Sequence, residues 1–214
     1  MEYLDNLNPN QKEAVIHDNG PCLVIAGAGS GKTRVLTYRI AHLIKKGIDP
    51  YSILALTFTN KASKEMKDRI EKIVGTEARS LWMGTFHSIF ARILRTEGYK
   101  IGYPPNFVIY DTLDSKNLIK SIVKELNLDP KIYKENFIYN RISNAKNRLI
   151  SPVEYKNNPI LQEEDASSLR PMISEIYKRY SERCFKSQAM DFDDLLYNTN
   201  ILFADHIDIL NKYQ

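Results

Sequence analysis

The sequence predicts an α/β protein in which a parallel sheet with interleaved helices is followed by an inserted, all-helical region. Short apolar runs alternate with helical patterns over about the first hundred residues, and this order is typical of a parallel sheet. After the segment Gly102-Tyr103-Pro104-Pro105 the pattern becomes almost entirely helical. The chain has 214 residues, 43% of them hydrophobic and 26% charged, which suffices for one large domain or two small ones.

The first part alternates three strands with three helices. The predicted strands are short apolar runs of the kind found in buried parallel sheets, at 21–26, 52–58 and 80–85. Each is followed by a predicted helix with apolar residues at helical spacing, at 33–46, 61–74 and 86 to about 95. Gly47 is placed to end the first of these helices.

The second part is predicted to contain one short extended piece and then helix after helix. The extended piece is 107–110, and the helices are 115–126, 139–149, 169–185 and 191–203, with short helices near 131–136 and 206–212. We expect Pro152, Pro159 and the acidic stretch Glu163-Glu164-Asp165 to mark loops. The predicted division is an α/β core at 1–104, a helical insertion at 105–187 and a return toward the core at 188–214.

Charge is unevenly distributed along the chain. Residues 1–150 contain 23 Lys and Arg against 15 Asp and Glu, whereas residues 151–214 contain 7 against 11. A basic first part suits a polyanionic partner, although Lys-rich helices that are simply solvated would give the same balance. No apolar run approaches the roughly 18 residues of a bilayer span, and we see no signal peptide. Cys22 and Cys184 match no metal spacing. We therefore expect a cytoplasmic protein without a membrane partner.

The strongest chemical signal is a glycine-rich segment between the first predicted strand and the first predicted helix: Ala26-Gly27-Ala28-Gly29-Ser30-Gly31-Lys32-Thr33. It matches the phosphate-loop pattern with Ala in place of the first Gly. Glycines let successive N–H groups point at phosphate oxygens, and the helix start adds its positive dipole end. Lys32 can reach the β- and γ-phosphates, and the Thr33 hydroxyl can bind Mg²⁺. These two are the candidate catalytic residues; the alternative is a glycine-rich turn without a ligand.

A phosphate loop does not fix the class of protein. A GTPase should carry an Asn-Lys-x-Asp segment, but Asn60-Lys61-Ala62-Ser63 lacks the Asp. Two alternatives from other classes remain open: a self-contained nucleotide or nucleic-acid binding module without motor activity, and a phosphate-loop enzyme acting on small molecules.

Several collinear segments resemble the superfamily 1 DNA helicases of the UvrD/Rep/PcrA type. Leu7-Asn8-Pro9-Asn10-Gln11 is similar to the family's adenine-reading motif, and Arg34 follows Thr33 as in the family's first motif. Three further segments resemble later family motifs: Leu56-Thr57-Phe58-Thr59-Asn60-Lys61-Ala62, Met83-Gly84-Thr85-Phe86-His87-Ser88 and Met190-Asp191-Phe192-Asp193-Asp194-Leu195-Leu196. The resemblance extends over the whole chain and implies a phosphate-loop (RecA-like) motor domain with an inserted helical subdomain.

The resemblance assigns roles to individual residues. Gln11 would read adenine with its amide, and ATP would bind at Ala28, Gly29, Ser30, Gly31, Lys32, Thr33 and Arg34. The residue types alone favour a different interpretation, in which Gln11 is a turn residue or belongs to a helix start capped by Asn8 and opened by Pro9.

A single-stranded DNA site is implied at Phe58, Thr59, Asn60 and Lys61, because an aromatic face stacks bases while small polar groups and lysine suit phosphates. Phe86 and His87 fit the same surface. The alternatives are a core role for Phe58 and a helix-start role for His87. Trp82 is expected in the core.

The acidic group Asp191, Asp193 and Asp194 is interpreted as the capped, acidic start of a helix rather than as a metal site. The resemblance implies further parts that we do not find after Thr33. These are an apolar strand ending in adjacent acidic residues, and the arginines of a second motor domain. We therefore expect an N-terminal fragment of an ATP-dependent 3′-to-5′ helicase or translocase, with negligible hydrolysis by itself. Its partners would be single-stranded DNA or a single-strand/duplex junction, and repair or replication proteins.

Overall fold

The computed structural model describes residues 2–18 and 20–214, which form two compact units. The first unit extends to Ile89, and the second comprises Phe90–Gln214. The α-helices and strands, in chain order, are α1 (Pro9–Ile16), α2 (Lys32–Lys45), β1 (Leu54–Thr57), α3 (Asn60–Val74), β2 (Trp82–Thr85), α4 (Phe86–Glu97), β3 (Val108–Tyr110), α5 (Thr112–Glu125), α6 (Glu135–Asn147), α7 (Pro152–Asn157), α8 (Pro159–Ser167), α9 (Ile173–Lys186), β4 (Ala189–Asp191), α10 (Phe192–Asp205) and α11 (Ile207–Tyr213). Short 3₁₀ helices lie at Glu2–Leu4, Pro50–Ser52, Gly75–Ser80 and Gly98–Ile101.

The first unit is built on a two-stranded parallel sheet. Leu54 of β1 pairs with Trp82 of β2, and the register continues to Thr57 opposite Thr85. Helices α2 and α3 bury apolar faces with the sheet, in a core of Ile40, Ile44, Ile53, Ala55, Met66, Ile70, Ala78 and Leu81. Two of the three predicted strands are thus confirmed together with the helices that follow them, and Trp82, expected in the core, is half-buried in β2.

The start of the chain packs on the other side of α2. Leu4, Leu7 and Val15 form a small buried cluster with Val35 of α2. The Arg39 guanidinium donates to the carbonyls of Ala14 and His17. These contacts hold α1 close to the N-terminal half of α2.

The second unit is helical around a tyrosine-rich core, with one small parallel sheet. In that sheet Val108 to Tyr110 pairs with Ala189 to Asp191. The buried core residues come mainly from α5, α6 and α9: Ile119, Ile122, Val123, Tyr133, Ile138, Ile142, Ala145, Tyr155, Leu161, Ile173, Ile176, Tyr177, Tyr180 and Cys184.

Most predicted elements are confirmed within a few residues, and three predictions in the second unit are wrong. Pro152 and Pro159 begin α7 and α8 instead of marking loops, because proline suits the first helical turn and Ser151 and Asn158 cap these helices. The acidic stretch Glu163–Asp165 lies inside α8. The short helix predicted near 131–136 is absent as a separate element, since residues 131–134 are not helical and α6 begins at Glu135.

None of the helices described in residues 2–18 and 20–214 has both the length and the apolar character needed to cross a membrane.

Candidate nucleotide and nucleic-acid site

A glycine-rich turn leads the chain into α2. Gly29 and Gly31 lie at φ +78° and +91°, a region that side chains other than glycine rarely adopt. The Ser30 hydroxyl closes the turn by donating to the Gly27 carbonyl oxygen at 2.7 Å. The turn ends at the first N–H groups of α2, which have no partner within a helix.

The first turn of α2 is electrostatically suited to an anion. It contains no acidic residue, and its side chains Lys32, Thr33 and Arg34 are exposed together with Ala28 and Ser30 of the loop. The helix dipole places partial positive charge at this end. Exposed N–H groups, a lysine and a helix start are the features that bind phosphate elsewhere.

Lys32 folds back over the loop. Its Nζ donates to the carbonyl oxygens of Ala26 and Gly27, both at 2.7 Å. These acceptors are neutral, whereas phosphate oxygens are charged and form stronger, charge-assisted hydrogen bonds. A phosphate group at the loop would therefore displace the two carbonyls as the partner of the ammonium group.

Gln11 reaches the loop because α1 starts beside it. The Asn8 side-chain oxygen accepts from the Gln11 N–H at 2.9 Å, and the Gln11 side-chain oxygen accepts from the Asn8 N–H at 3.2 Å. This capping box confirms the predicted role of Asn8 as a cap and of Pro9 as the first helical residue. The Gln11 Nε2 atom donates to the Ser30 carbonyl at 3.0 Å.

Arg34 faces a basic cavity next to the loop. Its guanidinium donates to the Asn6 carbonyl at 2.9 Å and lies 5.5 Å from the ring centroid of Tyr38. The cavity measures about 320 Å³ and is lined by Arg34, Thr37, Tyr38, Arg69, Lys72 and Ile73. Half of these lining residues are cationic and none is acidic, so an anionic or electron-rich group would be favoured there.

Two aromatic rings meet at the carboxyl edge of the β1–β2 sheet. Phe58 directly follows β1 and is 94% exposed, and Phe86 begins α4 after β2 and is 39% exposed. Because Thr57 pairs with Thr85 in parallel register, both rings leave the sheet at the same edge. Their centroids are 6.4 Å apart with the planes inclined at 54°. Phe58 is therefore not a core residue.

Polar groups surround this aromatic pair. The Thr59 hydroxyl caps α3 by accepting from the Ala62 N–H at 3.1 Å. Asn60 and Lys61 form the exposed first turn of that helix, and His87 is exposed in the first turn of α4. The structure thus brings Phe58 to Phe86 and Gln11 to the phosphate loop, as two groups of candidate residues.

The strand predicted at 21–26 is absent from the described part of the chain. Residues 21–27 belong to no helix or strand, and Leu23 and Ile25 are 84% and 89% exposed. An extended segment becomes a strand only through hydrogen bonds to a neighbouring strand. In the described residues, β1 and β2 pair with one another and not with this segment.

The structure also reveals a buried lysine that sequence reasoning missed. Lys146 of α6 is 2% exposed, and its Nζ lies 2.6 Å from Asp191 and 2.7 Å from Asp194. Tyr180 donates to Asp191 at 2.7 Å. Burial raises the pKa of Asp194 to about 6, while Lys146 holds the pKa of Asp191 below its usual value despite burial.

These carboxylates also start α10, as predicted. Asp191 and Asp194 form a capping box, each side chain accepting from the N–H of the other. A signal for Lys146 exists in the sequence, because it continues the four-residue spacing of Ile138 and Ile142 on the buried face of α6.

Comparison with known proteins gives one consistent result. Residues 7–214 match the family described as UvrD/REP helicase N-terminal domain. The chain is 43% identical over 212 residues to the ATP-dependent DNA helicase PcrA of Staphylococcus aureus, covering 99% of this chain and 28% of that protein. It is 46% identical over 220 residues to the protein of the same name in Bacillus subtilis, covering 100% of this chain and 29% of that one. The chain thus spans less than a third of the length of these relatives.

Proposed function

Because the chain belongs to the UvrD/REP helicase N-terminal domain family, we propose that it is the ATP- and single-stranded-DNA-binding part of an ATP-dependent 3′-to-5′ DNA helicase or translocase. The observation that carries this proposal is that the first unit contains both an exposed glycine-rich loop at the start of α2 and an exposed aromatic pair at a sheet edge.

The nucleotide is proposed to bind with its phosphates on the loop of Ala28 to Gly31 and the first turn of α2. Glycine at positive φ, the absence of acidic residues and the exchangeable partners of Lys32 support this assignment. Thr33 is exposed where its hydroxyl would hold Mg²⁺, and the metal would neutralise phosphate charge. Gln11 and Arg34 would contact the base end of ATP.

Single-stranded DNA is proposed to stack on Phe58 and Phe86 while Thr59, Asn60, Lys61 and His87 contact its backbone. Stacking on an exposed ring contributes about 1–3 kcal/mol per base and depends little on sequence. A phenylalanine that is 94% exposed offers a nearly fully accessible apolar face, and a stacked base would remove that face from water, which is favourable. The helix start at Thr59 adds N–H groups suited to phosphate.

The wider architecture is part of the same proposal. Residues 1–104 would form the first part of a RecA-like motor domain, 105–187 its helical insertion, and 188–214 the return toward the motor domain. The protein would work in the cytoplasm, at single strands or single-strand/duplex junctions, with repair or replication proteins. Since no apolar strand ending in paired acidic residues is recognised after Thr33, we expect negligible ATP hydrolysis by these 214 residues.

A crossed experiment tests both sites. Lys32→Ala should weaken Mg-ATP binding in calorimetry by roughly tenfold or more, because a charge-assisted phosphate contact is lost, and leave oligo(dT) binding in fluorescence anisotropy unchanged. Phe58→Ala should weaken oligo(dT) binding by at least about fivefold and leave Mg-ATP binding unchanged.

Tyr51→Ala is the matched control for the DNA site. Tyr51 is also an exposed aromatic residue, but it precedes β1 whereas Phe58 follows it. Its loss should affect neither ligand. Equal Mg-ATP affinity in the native protein and in Lys32→Ala would contradict the assignment of this loop as the phosphate-binding site. Equal losses of DNA affinity in Phe58→Ala and Tyr51→Ala would contradict a platform at Phe58.

A further inference from the structure

We propose that Gln11 is a positioning residue for the phosphate loop, whose side-chain amide holds the Ser30 carbonyl and so fixes the turn from which Lys32 projects. The proposal rests on the proposed function in one respect, because it takes this loop as the phosphate site. In this proposal Gln11 stabilises the backbone of the loop, in addition to any contact with a base.

The orientation of the Gln11 amide is fixed by the helix cap. Its oxygen accepts from the Asn8 N–H at 3.2 Å, and its nitrogen donates to the Ser30 carbonyl at 3.0 Å. Turning the amide over would place oxygen against a carbonyl and nitrogen against an N–H group, so both hydrogen bonds would be lost. The cap of α1 therefore aims a donor at the loop.

The same amide packs against the next loop residue. A Cβ atom on Gly31 would lie 2.8 Å from Gln11 Nε2, closer than van der Waals contact allows. Gly31 also has φ +91°, so the backbone conformation favours glycine there, and a Cβ atom would in addition displace the Gln11 amide. Gln11 thus contacts two consecutive residues, Ser30 and Gly31, immediately before Lys32.

Holding the loop leaves half of the amide available. A glutamine amide has two N–H groups and an oxygen with two lone pairs, and the contacts to Asn8 and Ser30 use one of each. The remaining donor and acceptor match the N7 and N6 groups of adenine. Loop positioning and base recognition are therefore compatible, and the experiment must separate them.

The first measurement follows the loop without any ligand. Gln11→Glu keeps an acceptor for the Asn8 N–H but has no donor for the Ser30 carbonyl. Asn8→Ala is the matched control, since it removes the cap's side chain and keeps the Gln11 donor. In ¹⁵N relaxation of the 214-residue chain, we expect the order parameters of Gly29 to Gly31 to fall from about 0.85 toward 0.6 in Gln11→Glu only.

The second measurement compares Mg-ATP with inorganic tripolyphosphate, which has no base. The uncharged variant Gln11→Met should weaken binding of tripolyphosphate by about fivefold, the effect of one lost hydrogen bond, and weaken Mg-ATP at least as much. Asn8→Ala should change both affinities by less than about twofold.

The outcomes separate this inference from the proposed function. Unchanged order parameters in Gln11→Glu, or weakened Mg-ATP binding with unchanged tripolyphosphate binding in Gln11→Met, would overturn loop positioning. If the native chain binds neither ligand at millimolar concentration, the proposed nucleotide site fails, and the order parameters alone decide whether Gln11 positions the loop.

Discussion

Lys32 in the first unit and Lys146 in the second are each held by two oxygen atoms at nearly equal distances, yet the two regions use them differently. Lys32 is exposed and donates to two neutral carbonyls. Lys146 is buried between two carboxylates. At the surface, the ammonium group of a lysine can exchange neutral carbonyl partners for a stronger acceptor. A buried lysine cannot be moved without leaving its carboxylate partners charged, buried and unpaired. Burial and partner charge, rather than contact distance, separate a lysine suited to a ligand from one that holds the fold.

The largest loss of stability is expected for Lys146→Met. The variant leaves Asp191 and Asp194 buried without their cation, so we expect the free energy of unfolding to fall by about 3–5 kcal/mol. Urea unfolding followed by circular dichroism measures this loss. Lys32→Met serves as the control and should change the same quantity by less than about 0.5 kcal/mol. Similar losses in both variants would contradict the distinction.

A smaller loss is expected for Tyr180→Phe. Its hydroxyl donates to the buried Asp191 carboxylate at 2.7 Å, and a hydrogen bond to a charged group contributes about 1.5–3 kcal/mol. The same urea titration should show a decrease of that size. Tyr51→Phe is the control. The native Tyr51 side chain is exposed, so removal of its hydroxyl should change the free energy of unfolding little. A neutral result for Tyr180→Phe would mean that Lys146 and the Asp194 N–H satisfy the Asp191 carboxylate without the hydroxyl.

Asp194→Asn tests the buried site of Lys146 through the pH dependence of folding stability. Burial raises the pKa of Asp194 from 3.8 to about 6, so the folded protein binds this proton more tightly than the unfolded chain. Protonation of Asp194 therefore stabilises the folded protein fully below about pH 4, and this stabilisation is lost as the pH rises through about 6. Asparagine does not ionise and leaves Lys146 paired with Asp191 alone.

The stability of Asp194→Asn relative to the native protein should accordingly increase between pH 4.5 and pH 7.5, by an amount on the order of 2 kcal/mol. Denaturant titrations at the two pH values measure this difference. Asp193→Asn, at the half-buried neighbouring position, should show no comparable change. A pH-independent difference for Asp194→Asn would show that Asp194 titrates outside this window.

The smallest effect is expected where the first unit is most exposed. Phe58→Ala removes a ring that is 94% exposed, so the free energy of unfolding should change by less than about 0.5 kcal/mol. Thermal unfolding of Phe58→Ala and of Met66→Ala, which truncates a core residue between α3 and the sheet, gives the contrast. A destabilisation by Phe58→Ala comparable with that of Met66→Ala would place Phe58 among the structural residues.

The sequence was informative wherever a local signal decides the structure. Asn8 with Pro9, and Asp191 with Asp194, each start a helix by a side-chain cap that is predicted from the residue types alone. The meeting of Phe58 and Phe86 also follows from sequence, since each is the first residue after a short parallel strand.

The parts of the structure that the sequence does not predict depend on contacts with distant segments, which no single segment specifies. The apolar run at 21–26 has the composition of a strand, but pairing requires a neighbour. Pro152 and Pro159 are compatible with loops by residue type, and only the preceding caps Ser151 and Asn158 identify them as helix starts. The carboxylates around Lys146 come from about 45 residues later in the chain, so spacing within α6 shows its buried position but not its partners.

The exposed segment before the phosphate loop has a consequence for the behaviour of the protein in concentrated solution. Leu23 and Ile25 lie two residues apart, with Val24 between them, in an exposed segment without regular structure, so both would project from the same side whenever the segment became extended. Such a stretch is a template for intermolecular strand pairing. Colloidal stability, measured as the concentration at which light scattering begins to rise, should therefore be governed by these two side chains rather than by either folded core.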